Sequence, residues 1–218
     1  LARRLDGPVD WATLKRPETF AEARARLDAA RRERTETPRP PVLVYPLFMA
    51  EGYFVRTKLP KLLADHGFTE TVMLPVFGLD PGLVDLVDHR LRSIASMQGG
   101  LAPRDLPIAL IAHGSGSGDT GSRLAGEAVA ATLRARLDAD IRLGFIEEEP
   151  FYDRLIAEEK PAIVIGLFVS AGTHALDDVA AAVAEAPCVR HHVDAIGRDA
   201  GVADMVERAY TAAIPALG

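Results

Sequence analysis

The sequence predicts an α/β protein of two similar lobes, each a parallel sheet flanked by helices, with the first lobe short of its opening strand. Three observations carry this. Apolar runs of strand length alternate with amphipathic segments of helical period. The two halves of the chain match in order over three consecutive blocks, the signature of an internal repeat. The second half opens with a strand, a glycine-rich turn and a helix that have no counterpart in the first.

Taken in order, Leu1 to Leu5 reads as the tail of a helix and Val9 to Leu14 as a strand. Glu18 to Arg34 reads as a helix with Phe20, Ala23, Leu27 and Ala30 on one side. Pro38, Pro40 and Pro41 end it, because a prolyl nitrogen has no N–H to continue a helical ladder. Val42 to Phe48 is a buried strand, followed by a loop through Gly52 and a helix around Leu59 to His66. Thr71 to Phe77 is the next strand, and Leu83 to Ile94 an amphipathic helix. Gln98 to Pro103 is a linker, dividing a first lobe at 1–97 from a second at 104–218.

The second lobe is built around Leu106 to Asp119 (LPIALIAHGSGSGD). Pro107 to Ala112 is almost wholly apolar, as a strand buried on both faces must be, and it stops at His113 before a run of small residues. Ser122 to Leu137 follows as an amphipathic helix with Ala125, Val129 and Leu133 on one face. Strands are expected at Ile141–Ile146 and Ala162–Val169, and a helix near Ala175.

Superimposing the halves sets Leu1–Asp6 over Leu133–Asp138, Val9 over Ile141 and Lys15 over Glu147. Leu47-Phe48 falls on Leu167-Phe168, Gly52 on Gly172 and Phe54 on His174. Gly78, Asp80 and Gly82 meet Gly197, Asp199 and Gly201. Nothing in the first half matches Leu106 to Thr132, so the first lobe is expected to take a parallel strand and helix from a segment upstream of Leu1.

Composition narrows the function. With 218 residues, 48% of them hydrophobic, the chain can bury a core as one domain or two small lobes. A net charge of -6, with no cluster of Lys and Arg among aromatics, argues against nucleic acid as a partner. The single cysteine, Cys188, rules out an internal disulfide framework and fits a reducing, cytoplasmic setting. No apolar run approaches the roughly 20 residues a membrane-spanning helix needs.

Three polar residues follow predicted strands of the second lobe: His113, Glu147 and His174. In a parallel sheet such loops share one edge, where ligands bind. Two imidazoles and a carboxylate converging there suit Co²⁺, Fe²⁺, Ni²⁺ or Zn²⁺, and can also accept protons near neutral pH. Each residue also has a plainer reading. His113 can satisfy backbone groups in its turn, Glu147 can be one of the solvated run Glu147–Glu149, and His174 can cap a helix. His191 and His192 alternate along a short strand, so at most one faces a cleft. Ser115 beside His113 is no hydrolase nucleophile, since AHGSG is not the GxSxG elbow.

The runs IALIAHGSG, GFIEEEP and IGLFVSAGTHALDDV resemble the sirohydrochlorin cobalto- and ferrochelatases, the class II tetrapyrrole chelatases of cobalamin and siroheme biosynthesis. The resemblance is strongest over Leu106 to Val183 and looser over Val42 to Leu86. It implies two Rossmann-like, flavodoxin-like lobes, each a four-stranded parallel sheet, with the macrocycle in the cleft between them. It places the family's histidine pair on His113 and His174 and its acidic residue on Glu147. The first lobe departs from the pattern, with Phe54 for His and Lys15 for Glu, so one site per chain is implied. Gly116 stands where the family carries Arg or a similar residue after HGS.

The activity so implied is insertion of a divalent metal substrate, Co²⁺ or Fe²⁺ with Ni²⁺ or Zn²⁺ as further options, into an acidic sirohydrochlorin-like tetrapyrrole, with no organic cofactor. His113 is the principal ligand and proton acceptor, His174 the second ligand, and Glu147 a ligand or proton relay. Arg56 and Lys58 supply cations for the macrocycle's carboxylates, Tyr53 and Phe54 pack on its face, and Ser115 is a further substrate contact. A monomer or homodimer is expected. The alternative is a relative that binds tetrapyrrole or metal without catalysis.

Overall fold

The computed structural model describes residues 5, 7–33, 40–116, 120–170 and 174–217, without the side chains of 174–176, 216 and 217. The helix tail expected at Leu1–Leu5 lies outside the described residues, save Leu5. Contacts group the chain into two units, one from residues 1–46, 51–76 and 203–218 and the other from 47–50 and 77–202.

In the first unit, helix α1 (Glu18–Arg32) follows Pro17 and buries Thr19, Phe20 and Ala23. Strands β1 (Val42–Val44) and β2 (Thr71–Met73) form a parallel pair, with Val42 opposite Thr71 and Val44 opposite Met73. Both strands are shorter than their apolar runs. Pro46 and Pro75 interrupt those runs and have no N–H for a ladder. Between the strands a π-helical turn (Phe54–Lys58) leads into α2 (Leu59–Asp65). Phe20, Leu59, Leu63 and Phe68 form the core, with Leu14, Leu27, Val42 and Val44 packed against them.

The strand expected at Val9–Leu14 does not form. The Thr13 N–H donates to Thr19 Oγ1 at 2.9 Å and the Arg16 N–H to the Thr13 carbonyl at 3.1 Å, closing a turn into α1. Val9 and Trp11 are exposed.

The second unit begins with α3 (Gly82–Met97) and continues through β3 (Ile108–Ala112), α4 (Gly121–Leu137), β4 (Ile141–Phe145) and α5 (Tyr152–Glu159). It closes with β5 (Ile163–Gly166), α6 (His174–Ala184) and β6 (His191–Val193). A last helix, α7 (Val202–Ala213), is grouped with the first unit from Ala203 on. The four strands run parallel in the order β4-β3-β5-β6. All five residues of β3 are buried, as the unbroken run IALIA requires of an inner strand covered on both faces. Ala109, Ile111, Val164 and Phe168 join Leu155, Val179 and Ala195 in one core. The sequence analysis assigns no element to α5, whose two buried residues, Leu155 and Ile156, are adjacent and too few to register a helical period.

This strand order explains the missing strand at Val9–Leu14. That segment aligns with β4, and β4 is an edge strand whose ladder partner is β3. The β1–β2 pair aligns with β5–β6, and nothing in the first half aligns with β3. Without that neighbour, a strand at 9–14 has nowhere to place its N–H and C=O groups, so the backbone takes a turn instead.

The repeat is visible in the tails of both halves. The Gly78 N–H donates to the Phe48 carbonyl at 2.9 Å, and the Gly197 N–H to the Phe168 carbonyl at 2.9 Å. A Cβ at Gly78 would lie 1.9 Å from the Met49 carbonyl oxygen, and one at Gly197 2.3 Å from that of Val169. Only glycine fits either approach. Each is followed by an aspartate that accepts from a glycine two residues on, Asp80 from Gly82 at 2.8 Å and Asp199 from Gly201 at 2.9 Å.

Candidate metal-insertion site

His113 is the first residue beyond β3, and β4 ends level with it, Ala112 standing opposite Phe145. The backbone ties the two exits together: the His113 carbonyl accepts N–H bonds from Ile146 at 3.2 Å and Glu147 at 3.0 Å. The adjacent side chains therefore emerge side by side. His113 Nδ1 lies 3.7 Å from Glu147 Oε2, each side chain about half exposed. Two atoms each about 2.0–2.2 Å from one ion can be no more than about 4.4 Å apart, so this pair can share a metal. A neutral imidazole nitrogen beside a carboxylate oxygen is a donor set for a first-row divalent ion.

The loop after β3 is pinned by successive amides. Gly114 sits at φ +73, and a Cβ there would lie 2.8 Å from Glu148 Cγ. Its N–H donates to Ser122 Oγ at 3.2 Å, that of Ser115 to Glu148 Oε1 at 3.1 Å, and that of Gly116 to Glu147 Oε2 at 3.2 Å. The three carboxylates of the run Glu147–Glu149 have different partners. Glu147 faces His113, Glu148 turns to Arg123 with Nη2 at 2.7 Å, and Glu149 stands 3.5 Å from Arg154.

Arg123 was not singled out from the sequence. Its Nε donates to Glu148 Oε2 at 2.9 Å, its Nη2 donates to the Glu149 carbonyl, and its guanidinium lies 4.5 Å from the Phe145 ring centroid. Hydrogen bonding to Glu148 raises its pKa further above the usual arginine range. Arg123 and Glu148 are 25 positions apart, and no local spacing rule links them.

His174 is the first residue of α6, and its side chain lies outside the described residues. Among the described residues no group of three His, Cys, Asp or Glu forms a metal cluster. Its counterpart Phe54 likewise opens a helical segment, the π-helical turn of the first unit, and Lys15 is exposed there. Tyr53 and Phe54 are exposed aromatics in edge contact, with centroids 5.8 Å apart. Lys58 Nζ is 5.4 Å from the Phe54 centroid, and Arg56 is 3.5 Å from Glu51.

Two of the remaining histidines, His66 and His192, have partners in the fold. His66 Nδ1 is 2.8 Å from the Leu62 carbonyl, and His89 is exposed on α3. His192 on β6 has Nδ1 3.2 Å from Asp194 Oδ1 while its buried Nε2 has no protein partner among the described residues. Burial pushes its pKa down, and Asp194 opposes this in part. No described helix is long and apolar enough to cross a membrane.

No family model and no curated protein matches this chain. Solved structures do. CbiX, the terminal enzyme for biosynthesis of siroheme in denitrifying bacteria, aligns with a TM-score of 0.73 at 32% identity, over 93% of this chain and 82% of its own. SirB from Bacillus subtilis, solved with Fe³⁺, aligns with a TM-score of 0.67 at 16% identity, over 94% of this chain and 78% of its own. That identity speaks to fold alone. A multi-domain Deinococcus radiodurans protein with structural similarity to chelatases aligns at a TM-score of 0.62 and 22% identity, over 78% of this chain and 41% of its own. The CbiX match extends about a third of identical positions over nearly the whole chain, and this chain belongs to the class II tetrapyrrole chelatase family.

Proposed function

We propose that this chain inserts a divalent metal, Co²⁺ or Fe²⁺, into a sirohydrochlorin-type tetrapyrrole. The observation that carries the reading is the His113–Glu147 pair, 3.7 Å apart at neighbouring strand exits in a chain 32% identical to a siroheme-pathway CbiX.

Insertion exchanges the ion's water ligands for four macrocycle nitrogens and releases two pyrrole protons. His113 Nδ1 and Glu147 Oε2 hold the ion at an open site, with His174 as a further ligand, so that waters and pyrrole nitrogens can exchange at the remaining positions. As the ion passes to the macrocycle, His113 is freed to take a departing proton and Glu147 to relay one to solvent. The half-exposed position of both groups suits this, because metal and protons must enter and leave. Arg56 and Lys58 are the cations proposed for the macrocycle's carboxylates, and the exposed rings of Tyr53 and Phe54 offer apolar area for its face. Ser115 is kept as a substrate contact. No organic cofactor enters this scheme.

The test is to mix sirohydrochlorin with Co²⁺, or with Fe²⁺ without oxygen, and follow the visible spectrum with and without the protein. Faster appearance of the metallated spectrum is expected. A rate equal to the protein-free mixture would favour a relative that binds without catalysing.

A further inference from the structure

We infer that Glu148 and Arg123 are positioning residues that set the spacing of His113 and Glu147. This rests on the chelatase reading above and adds to it two residues that act on the His113–Glu147 pair through protein contacts.

The segment that follows His113 is rich in glycine and serine. Its residues are small, and Gly114 adopts a left-handed conformation that a side chain would strain. Beyond the Gly114 N–H bond to Ser122 Oγ on α4, its described amides are held from the loop after β4. The Ser115 N–H is anchored on Glu148 Oε1, and the Gly116 N–H on Glu147 Oε2, so two neighbouring carboxylates bind two neighbouring amides. Glu148 is in turn held from the other side by the Arg123 fork on α4, which also binds the Glu149 carbonyl. Phe145, the last residue of β4, backs the guanidinium at 4.5 Å. One arginine thus fastens the Glu147–Glu149 segment to α4, while Glu148 fastens the His113 loop to that segment. Arg123 and Glu148 are about three-quarters buried, so their pairing is less screened than that of an exposed pair. Pairing also occupies the Glu148 charge, leaving Glu147 as the carboxylate facing His113.

Outer groups that orient metal ligands typically contribute about 10–100-fold in metal affinity or activity. The experiment titrates Co²⁺ into the parent and into Glu148→Ala, Glu148→Gln, Arg123→Ala and the Glu148→Ala/Arg123→Ala double variant. Binding is read from the visible Co²⁺ bands, and backbone exchange at Ser115 and Gly116 is measured on the same samples. Glu148→Ala and Arg123→Ala should each weaken Co²⁺ binding by about 10–100-fold, change the bands, and speed exchange at both amides. The double variant should be little worse than either single one, because both remove the same link. Glu148→Gln keeps one carbonyl for the Ser115 N–H but sets its NH2 against the Arg123 donors, so it should weaken Co²⁺ binding about as far as Arg123→Ala. It also serves if the alanine variants do not fold. Glu127→Ala, which removes only an exposed pair with Arg123, should change nothing. Parent-like Co²⁺ affinity and bands in Glu148→Ala, or in Glu148→Gln, would overturn the inference while leaving the chelatase reading intact. A parent protein that binds no Co²⁺ would overturn both.

Discussion

The two halves of the chain repeat a frame and differ in what the frame carries. In both, a glycine donates its N–H to a phenylalanine carbonyl at 2.9 Å, an aspartate caps the following turn, and a helix begins. Where the second half presents Glu147 and His174, the first presents Lys15 and Phe54. Among the described residues the second has four strands and the first two. Close backbone approaches thus persist in a repeat whose candidate ligands and inner strand have no counterpart among the described residues of the first half, so shared architecture and shared chemistry are separable.

The largest expected effect breaks the frame itself. Gly78→Ala and Gly197→Ala drive a Cβ to 1.9 and 2.3 Å from backbone oxygens, and each should cost about 3 kcal/mol or more in urea unfolding. Similar losses for both sharpen the repeat; a neutral substitution at either would undo it. Next come the ligands. Glu147→Ala should slow insertion by about a hundredfold, the low end for a lost acid–base or ligand group, while Lys15→Ala leaves the rate unchanged. An equal loss at Lys15 would place chemistry in both halves.

A smaller effect is expected at the cations of the first unit. Arg56→Ala with Lys58→Ala should weaken sirohydrochlorin binding by about tenfold in low salt, with the difference shrinking as salt is added. Affinity insensitive to both would remove these residues from the site. The smallest belongs to His192. Its folded pKa is held below the unfolded value, mainly by burial, so the unfolded chain takes up more protons in the window between the two. Stability from this group is therefore complete above the unfolded value near 6.5, and is lost as pH falls from there towards the folded pKa. A His192→Gln variant should show a flatter acid limb in urea midpoints.

Much of this was legible because it is local. The unbroken IALIA run marked an inner strand, and its abrupt end at His113 marked the carboxyl edge of the sheet. The pairing of His113 with Glu147 followed from parallel topology, which sets neighbouring strand exits together. What sequence could not supply was non-local. Val9–Leu14 has the composition of a strand, yet a strand needs a neighbour and the one it would pair with has no counterpart in the first half. Pro46 and Pro75 shorten β1 and β2, which the apolar runs alone overextend. The Arg123–Glu148 link joins residues on α4 and beyond β4, and only the fold brings them together.

The central claim is that the ion is held at His113 while the macrocycle's charges are gripped elsewhere. It is tested most directly by measuring Co²⁺ insertion and sirohydrochlorin affinity on one preparation of His113→Ala. Insertion should fall by at least about a hundredfold while the macrocycle Kd stays within a few fold of the parent, as loss of an interaction specific to the metal step requires. Insertion at the parent rate would contradict the account.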